Sequence, residues 1–431
     1  MFSNYDDALH FLYSNLPMFQ RIGAAALKND LSNTIRLCEA LDNPQFKFKS
    51  IHIAGTNGKG SSSHMIASVL QEAGYKTGLY TSPHLKDFTE RIRLDGEVVP
   101  RTFVLDFVNR IEPHIHIIQP SFFEITVVMA FDYFVRTGVD IAVIETGLGG
   151  RLDSTNVIMP MVSLITNIGW DHKDILGDTL EQIAGEKAGI IKSHIPVVVS
   201  ERQPGIEGVF TERSKALHAP IVFADDLFQV TQTNTDGVNL LDVKQGSQTL
   251  YETIALPLQG NYQRKNLAGV LAVVDELRRQ GLTISHERVR DGLLNVVTNT
   301  HLKGRWQLLS RKPLTICDTG HNLDGIREVV KQIRAQSYRK LHMVIGMVKD
   351  KDISAILAEL PGEAAYYFCQ AGIPRALPAE ELQVAAGKAG LKGIVVGGVN
   401  DAIHAAQRAA DENDFIFVGG STFVVAEIEN L

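Results

Sequence analysis

The chain has 431 residues, more than one domain of roughly 100–200 residues holds, so two or three cores are expected. With 45% hydrophobic and 21% charged residues and a mean hydropathy of +0.01, the composition is globular and excludes a disordered chain or a coiled coil. Lys and Arg number 42 against 49 Asp and Glu; the net charge of −7 argues against a general binder of nucleic acid or anionic membranes.

The opening stretch MFSNYDDALHF carries two aspartates and no positive segment, so no secretory signal is expected. No apolar run approaches the roughly 18–20 residues of a membrane span. Cys38, Cys317 and Cys369 lie far apart without CxxC spacing, which predicts neither a disulfide framework nor a thiolate zinc site. A reducing, cytoplasmic setting fits.

In chain order, KSIHIAG (49–55), TGLYTSP (77–83), IAVIETG (141–147), VSLITNI (162–168) and PVVVS (196–200) read as short strands rich in β-branched residues. Between them SSHMIASVLQEAG (62–74), FFEITVVMAFDYFVRTG (122–138) and TLEQIAGEKAGIIK (179–192) carry helical patterns. Apolar strands linked by helices imply an α/β fold with a mostly parallel sheet covered on both faces. Residues 221–258 break the rhythm and read as a small antiparallel β appendage with turns at Asp236-Gly237 and Gly246-Ser247. A helix over 266–280 and another near 285–294 close this first domain, 1–297. The stretch 298–305 lacks periodicity and suits a linker or hinge. Alternation restarts with PLTICD, LHMVIGM, AAYYFCQ, GIVVGG and DFIFVGG, which predicts a second, smaller α/β domain over 306–431.

The strongest local signal is IHIAGTNGKGSSSHMIASVL, a strand ending at Ala54, a turn, and an amphipathic helix. In Gly55-Thr56-Asn57-Gly58-Lys59-Gly60-Ser61 the glycines let backbone N–H groups surround phosphate oxygens, and the helix N-terminus adds a positive dipole. Lys59 would neutralise phosphate charge, and Ser61 offers a hydroxyl to the nucleotide or its metal. The spacing G-x-x-G-K-G-S departs from G-x-x-x-x-G-K-[ST], so the alternative is a ligand-free glycine-rich turn.

With GTNGKGS the sequence resembles the Mur ligase superfamily, ATP-dependent enzymes that join a carboxylate to an amine. TSPHL (81–85), SFFE (121–124), ETGLGGRLDSTN (145–156), NIGWDH (167–172), GEKAGIIK (185–192), GNYQRKN (260–266), GRW (304–306) and DTGHN (318–322) narrow the resemblance to folylpolyglutamate synthase/dihydrofolate synthase. The resemblance implies a P-loop-type first domain and a Rossmann-like second one. It implies ligation of L-glutamate to dihydropteroate, to a reduced folate, or to both, through an acyl phosphate. ATP is then a co-substrate and Mg2+ occupies two sites. A monomer without nucleic-acid or membrane partners is expected.

Several site residues are carried over with it. Glu145 ends an apolar strand, where a carboxylate suits a hard cation. By resemblance Ser82, Glu145 and His172 bind magnesium, and Lys187, as N6-carboxylysine, joins a second ion. On residue type alone His172 reads as a structural or surface histidine, and Lys187 as a solvated partner of Glu186 or Glu181. Asn266, read as beginning a helix, pairs with adenine or merely caps that helix. Arg305 reaches a phosphate, Asp318 the ribose, and His321 lies near the phosphates. For the pterin, Ser121, Phe122, Phe123, Glu124, Leu152, Asp153 and Ser154 are the matched positions. Aromatics stack on a flat ring and a carboxylate bonds ring nitrogens, although Phe122 and Phe123 also suit a core. Residues 24–34 depart from the family's substrate loop and leave its contacts unassigned.

Two rivals stand beside this reading. One is a cell-wall Mur-type amino-acid ligase, disfavoured by SFFE, by GLGGRLDSTN and by the mere 50 or so residues ahead of the loop. The other is a nucleotide-binding regulatory protein without ligase activity.

Overall fold

The computed structural model describes residues 1–19, 23–26, 28, 30–235, 238–349 and 351–431. They form two compact units. The first comprises Met1–Gly169, Lys173–Pro257 and Gln263–His301; the second comprises Trp170–His172, Leu258–Tyr262 and Leu302–Leu431.

The first unit is built on eight strands: β1 (Lys49–Ala54), β2 (Thr77–Tyr80), β3 (Ile92–Leu94), β4 (Glu97–Val98), β5 (Ile141–Glu145), β6 (Val162–Ile165), β7 (Val197–Val199) and β8 (Ile221–Phe223). Their order is β4-β3-β2-β5-β1-β6-β7-β8, parallel from β2 to β8 with an antiparallel edge at β3 and β4. The chain leaves β1 toward β2 on one side and leaves β6 toward β7 on the other. Connections therefore reverse between β1 and β6, the place where open α/β sheets open a crevice at their strand ends. Apart from the exposed Lys49, the core strands β1, β2, β5 and β6 are buried on both faces, as parallel strands under helices must be.

The helix Lys59–Glu72 follows β1. It is not amphipathic as expected: every residue from Ser61 to Leu70 is buried. Its four serines and the alternating apolar residues are enclosed by the helices Gln263–Arg279, His286–Leu294 and Val296–Thr300 as well as by the sheet. Small side chains permit that enclosure, and Ser68 meets the carbonyl of Gly292 at 2.6 Å.

Other boundaries shift for local reasons. The helix expected over 179–192 ends at Ala188, where the chain turns at Gly189 against Arg151. The antiparallel appendage starts later than expected: Ile221–Phe223 belongs to the main sheet, and only β9 (Phe228–Thr235), β10 (Val238–Gln245) and β11 (Gln248–Leu256) form the separate meander. The expected turn at Asp236-Gly237 lies outside the described residues. The predicted linker 298–305 begins inside the helix Val296–Thr300, and the helix Arg101–Ile118 had no counterpart in the periodicity reading.

The second unit holds a six-stranded sheet, β12 (Gln307–Arg311), β13 (Leu314–Cys317), β14 (Leu341–Ile345), β15 (Ala365–Cys369), β16 (Gly393–Gly397) and β17 (Phe415–Gly419), in the order β12-β13-β17-β14-β15-β16. Only β12 is antiparallel, and its mixed exposure hid it from the pattern. Just before β17, Asp414 is 1% exposed and accepts from Arg339 Nε at 3.0 Å and from Asp411 N at 2.9 Å. It also meets His342 Nε2 at 3.2 Å. Burial opposes ionisation, but Arg339, the Asp411 amide and His342 together hold the carboxyl below the usual carboxylate range.

A carboxyl depressed in the folded state contributes stability above its ordinary pKa of about 3.9 and loses it as the pH falls below that value. Asp414→Asn should therefore cost about 2 kcal/mol at neutral pH. It should also flatten the fall in Tm between about pH 4 and pH 2. Thermal melts across that range check this; an unchanged acid slope would remove Asp414 from the role.

Candidate active site

The phosphate-loop candidate occupies the crevice between β1 and β6. Gly58 precedes the helix with φ +88°, and no side chain caps that helix end. The first amides of a helix lack intrahelical partners, so the buried helix presents N–H groups toward the loop. The first backbone bond within it runs from Ser62 N to Gly58 O. The neighbouring turn after β6 shapes the loop: Thr56 N donates to Asn167 O, and Asn57 N to the Asn167 side chain, both at 2.8 Å. A Cβ on Gly58 would lie 2.3 Å from Asn266 Oδ1, and one on Gly55 would lie 1.8 Å from Thr166 Oγ1. Neither position accepts another residue.

Lys59 is the first helical residue rather than a loop tip. Its ammonium reaches back to the carbonyls of Gly55 and Thr56 at 2.9 and 3.3 Å. Lys187 is 3% exposed and donates to the same Gly55 carbonyl at 3.1 Å, so the solvated reading fails. Its supposed partner Glu186 pairs with Arg151 instead. Glu145, 5% exposed, ends β5 in register with Ile53 of β1, and Thr146 N closes the pair onto Ile53 O at 2.9 Å. Ser82 lies two residues beyond β2, the next strand along, and precedes a cis proline. The loop, Glu145 and Ser82 thus stand at the carboxyl ends of the consecutive strands β1, β5 and β2. A carboxylate and a hydroxyl beside a phosphate cradle fit a hard divalent cation.

Asn266 sits in the first turn of the helix Gln263–Arg279, not at its start, with its side chain against Gly58. Asn266 Nδ2 donates to Gln263 Oε1 at 2.8 Å, and Gln263 Nε2 donates to Ser61 Oγ at 3.1 Å.

The positions matched to the pterin divide by role. Ser121 and Glu124 form a reciprocal capping box for the helix Phe122–Thr137, which occupies their polar groups. Phe122 is core, stacked on Tyr13 with centroids 5.3 Å apart. Phe123 is half-buried with its ring over Gly147, where a Cβ would come within 2.4 Å. Asp153 is buried and accepts from Gly147 N, Leu148 N and Thr155 N at 2.8, 2.9 and 3.0 Å. Burial raises its pKa against those hydrogen bonds. It folds the loop that follows Glu145. Leu152 and Ser154 flank it, half-buried and buried.

His172 groups with the second unit. It has φ +48°, and its ring lies 3.7 Å from Asp171. Asp171 also pairs with Lys351, lies 3.5 Å from His321 Nε2 and accepts from Asn322 Nδ2 at 3.3 Å. Burial opposes its ionisation, but the His321 hydrogen bond and the charges of His172, His321 and Lys351 hold it well below the carboxylate range. Asp318 is buried and accepts from Tyr262 OH, Trp306 N and Gly320 N at 2.7, 2.8 and 2.7 Å; burial raises its pKa. Arg305 donates to Thr319 Oγ1.

Sequence reasoning missed Gln263, Asp171 and Lys351. Gln263 and Asp171 lay inside quoted motifs, whereas Lys351 in a run of charges looks like a solvated lysine.

A family model described as the Mur ligase middle domain matches residues 53–274, and one described as the Mur ligase glutamate ligase domain matches 304–422. A curated Bacillus subtilis protein named dihydrofolate synthase/folylpolyglutamate synthase is 33% identical over 440 residues, covering 99% of both chains. The chain belongs to the dihydrofolate synthase/folylpolyglutamate synthase family. The family likeness extends to solved structures. E. coli FolC in complex with DHPP and ADP superposes with a TM-score of 0.86 at 30% identity, covering 98% of this chain and 96% of that one. The Yersinia pestis bifunctional enzyme complexed with AMPPNP and Mn ion gives 0.84 at 30% identity, covering 98% and 97%. These matches favour the folate member over the cell-wall rival.

For this family member, Gly58→Ala should abolish nucleotide binding while leaving the circular-dichroism spectrum intact, because the added Cβ and the positive φ both oppose the cradle. Calorimetric titration with ADP checks it; affinity within about twofold of the parent would refute the cradle.

Proposed function

We propose that the protein ligates L-glutamate to dihydropteroate, to a reduced folate, or to both, at the expense of ATP. The observation that carries this reading is the uncapped helix N-terminus flanked by Lys59, Lys187 and Glu145, in a chain aligned over nearly its whole length with folate ligases.

A carboxylate does not condense with an amine at neutral pH, because its oxygen is a poor leaving group. Transfer of the γ-phosphoryl group to a folate carboxylate oxygen gives an acyl phosphate and ADP. The glutamate amine then attacks the carbonyl carbon, inorganic phosphate leaves, and the amine loses a proton. Phosphoryl transfer asks a protein chiefly for positioning and charge neutralisation. The amides from Gly58 to Ser61 at the start of the helix and the Lys59 ammonium answer that need. Bound Mg2+ supplies further neutralisation of the phosphate oxygens. Ser82 and Glu145 would hold one ion, with His172 and a carbamylated Lys187 at a second. Arg305, Asp318, His321 and Asn266 remain the proposed nucleotide contacts, and Phe123 the best-placed pterin platform.

The carbamate proposal draws support from the burial of Lys187 and from its reach to the phosphate-loop carbonyl of Gly55. A bare ammonium next to a cation would be repelled; a carbamate supplies an anionic oxygen ligand instead.

Incubation with ATP, Mg2+, glutamate and either dihydropteroate or tetrahydrofolate should yield a product heavier by one glutamate residue, read by mass spectrometry. ¹⁸O in the folate carboxylate should appear in released phosphate; retention of all label in the amide would sink the acyl phosphate. Lys187→Ala should lose nearly all turnover and regain part of it with a short-chain carboxylic acid. A bare amine in native protein that stays fully active after CO2 removal would exclude the carbamate.

A further inference from the structure

The polar chain Asn266–Gln263–Ser61 is buried throughout, with the three residues 7%, 0% and 1% exposed. Its direction follows from donors and acceptors. Asn266 Nδ2 can only donate, so the Gln263 atom it meets at 2.8 Å is the carbonyl Oε1. Gln263 therefore turns its amide nitrogen to Ser61 Oγ, which must accept. A hydroxyl has one proton and two acceptor sites. With one acceptor site filled, Ser61 keeps its proton and one lone pair for another partner. Ser61 lies in the first turn of the helix Lys59–Glu72, among the amides with no intrahelical acceptor. The other end of the chain is fixed as well, since Asn266 packs its Oδ1 where a Gly58 Cβ would stand. The linked pair Asn266 and Gln263 thus ties both ends of the loop–helix junction.

We propose that Gln263 is a positioning residue for the nucleotide: held by Asn266, it donates to Ser61 and so reserves the Ser61 hydroxyl proton and remaining lone pair for the triphosphate and its cation. The proposal rests on the nucleotide-site reading above. It predicts a contribution confined to the phosphates, because Ser61 belongs to the phosphate loop.

The test uses the full chain and calorimetric binding of ADP and of adenosine, with and without Mg2+. Two variants separate the cases. Gln263→Met removes both hydrogen bonds at similar volume. Gln263→Glu keeps the acceptor for Asn266 but cannot donate to Ser61 when ionised. Each should weaken ADP by about five- to twentyfold, the loss of a directed hydrogen bond, while adenosine affinity of the Gln263→Glu protein, which keeps the Asn266 bond, stays within about twofold. In a Ser61→Ala background, Gln263→Met should cost little further, because both substitutions break one link. Equal loss for ADP and adenosine, an additive double variant, or a Gln263→Glu protein that binds ADP like the parent would each overturn the role. If Gln263→Met fails to fold, Gln263→Glu still decides, since it preserves shape and the Asn266 bond. A parent protein that binds no ADP and makes no glutamate product would instead remove the nucleotide-site reading. A parent that binds ADP, with variants behaving additively, removes the role of Gln263 alone.

Discussion

The constraint that organises the first unit is the end of one helix. Residues 61–70 of the helix after β1 are wholly enclosed, while residues 56–60 ahead of them stay half-exposed. No side chain caps its leading amides, and the first turn of a helix offers them no intrahelical acceptor. The fold brings Asn167, Thr166, Asn266 and two lysines to that end, yet Lys59 and Lys187 both point their donors at one carbonyl, that of Gly55. The result is a pocket edge rich in donors and positive charge, a demand that phosphate oxygens meet.

From that end the remaining features of the unit follow in sequence. β1 must be central so that the loop lies beside both the β5 carboxylate and the β6 turn. The helix must carry small residues so that three neighbouring helices can enclose it. Asp153 must be fully hydrogen-bonded because the loop it braces begins right after Glu145 and would otherwise leave two amides unpaired.

What could be read from the sequence tracks how local the signal is. The strands around β1, β5 and β6 are rich in β-branched residues and bounded by glycine or asparagine, and they begin where expected and end one to three residues early. The phosphate loop was legible because its glycines and lysine sit together in seven residues. The edge strands β3, β4 and β12 are short or half-exposed, so no period marks them. Burial of Lys187 was hidden for a different reason: a lysine among Ala and Gly on a helix looks solvated until a second helix and a loop cover it. Gln263 was invisible as a functional group because its role depends on partners about 200 residues away in the chain. Asp171 needed the fold too, since its partners Lys351, His321 and Asn322 come from 150 or more positions downstream.

The second unit draws on three stretches of chain, and this bears on how the protein could be divided. Asp318 is buried against the hydroxyl of Tyr262, and Lys351 and His321 close on Asp171. Both partners precede residue 302, where the main body of that unit begins. A fragment cut at 302 would therefore carry a buried carboxylate missing one of its donors and a largely buried lysine without its counter-charge, and breaking such pairs costs several kcal/mol. The stretch matched to the ligase domain is thus shorter than the compact unit that surrounds it. Any recombination that exchanges the C-terminal part between relatives must carry the matching Tyr262 and Asp171 segments with it, or find substitutes for both.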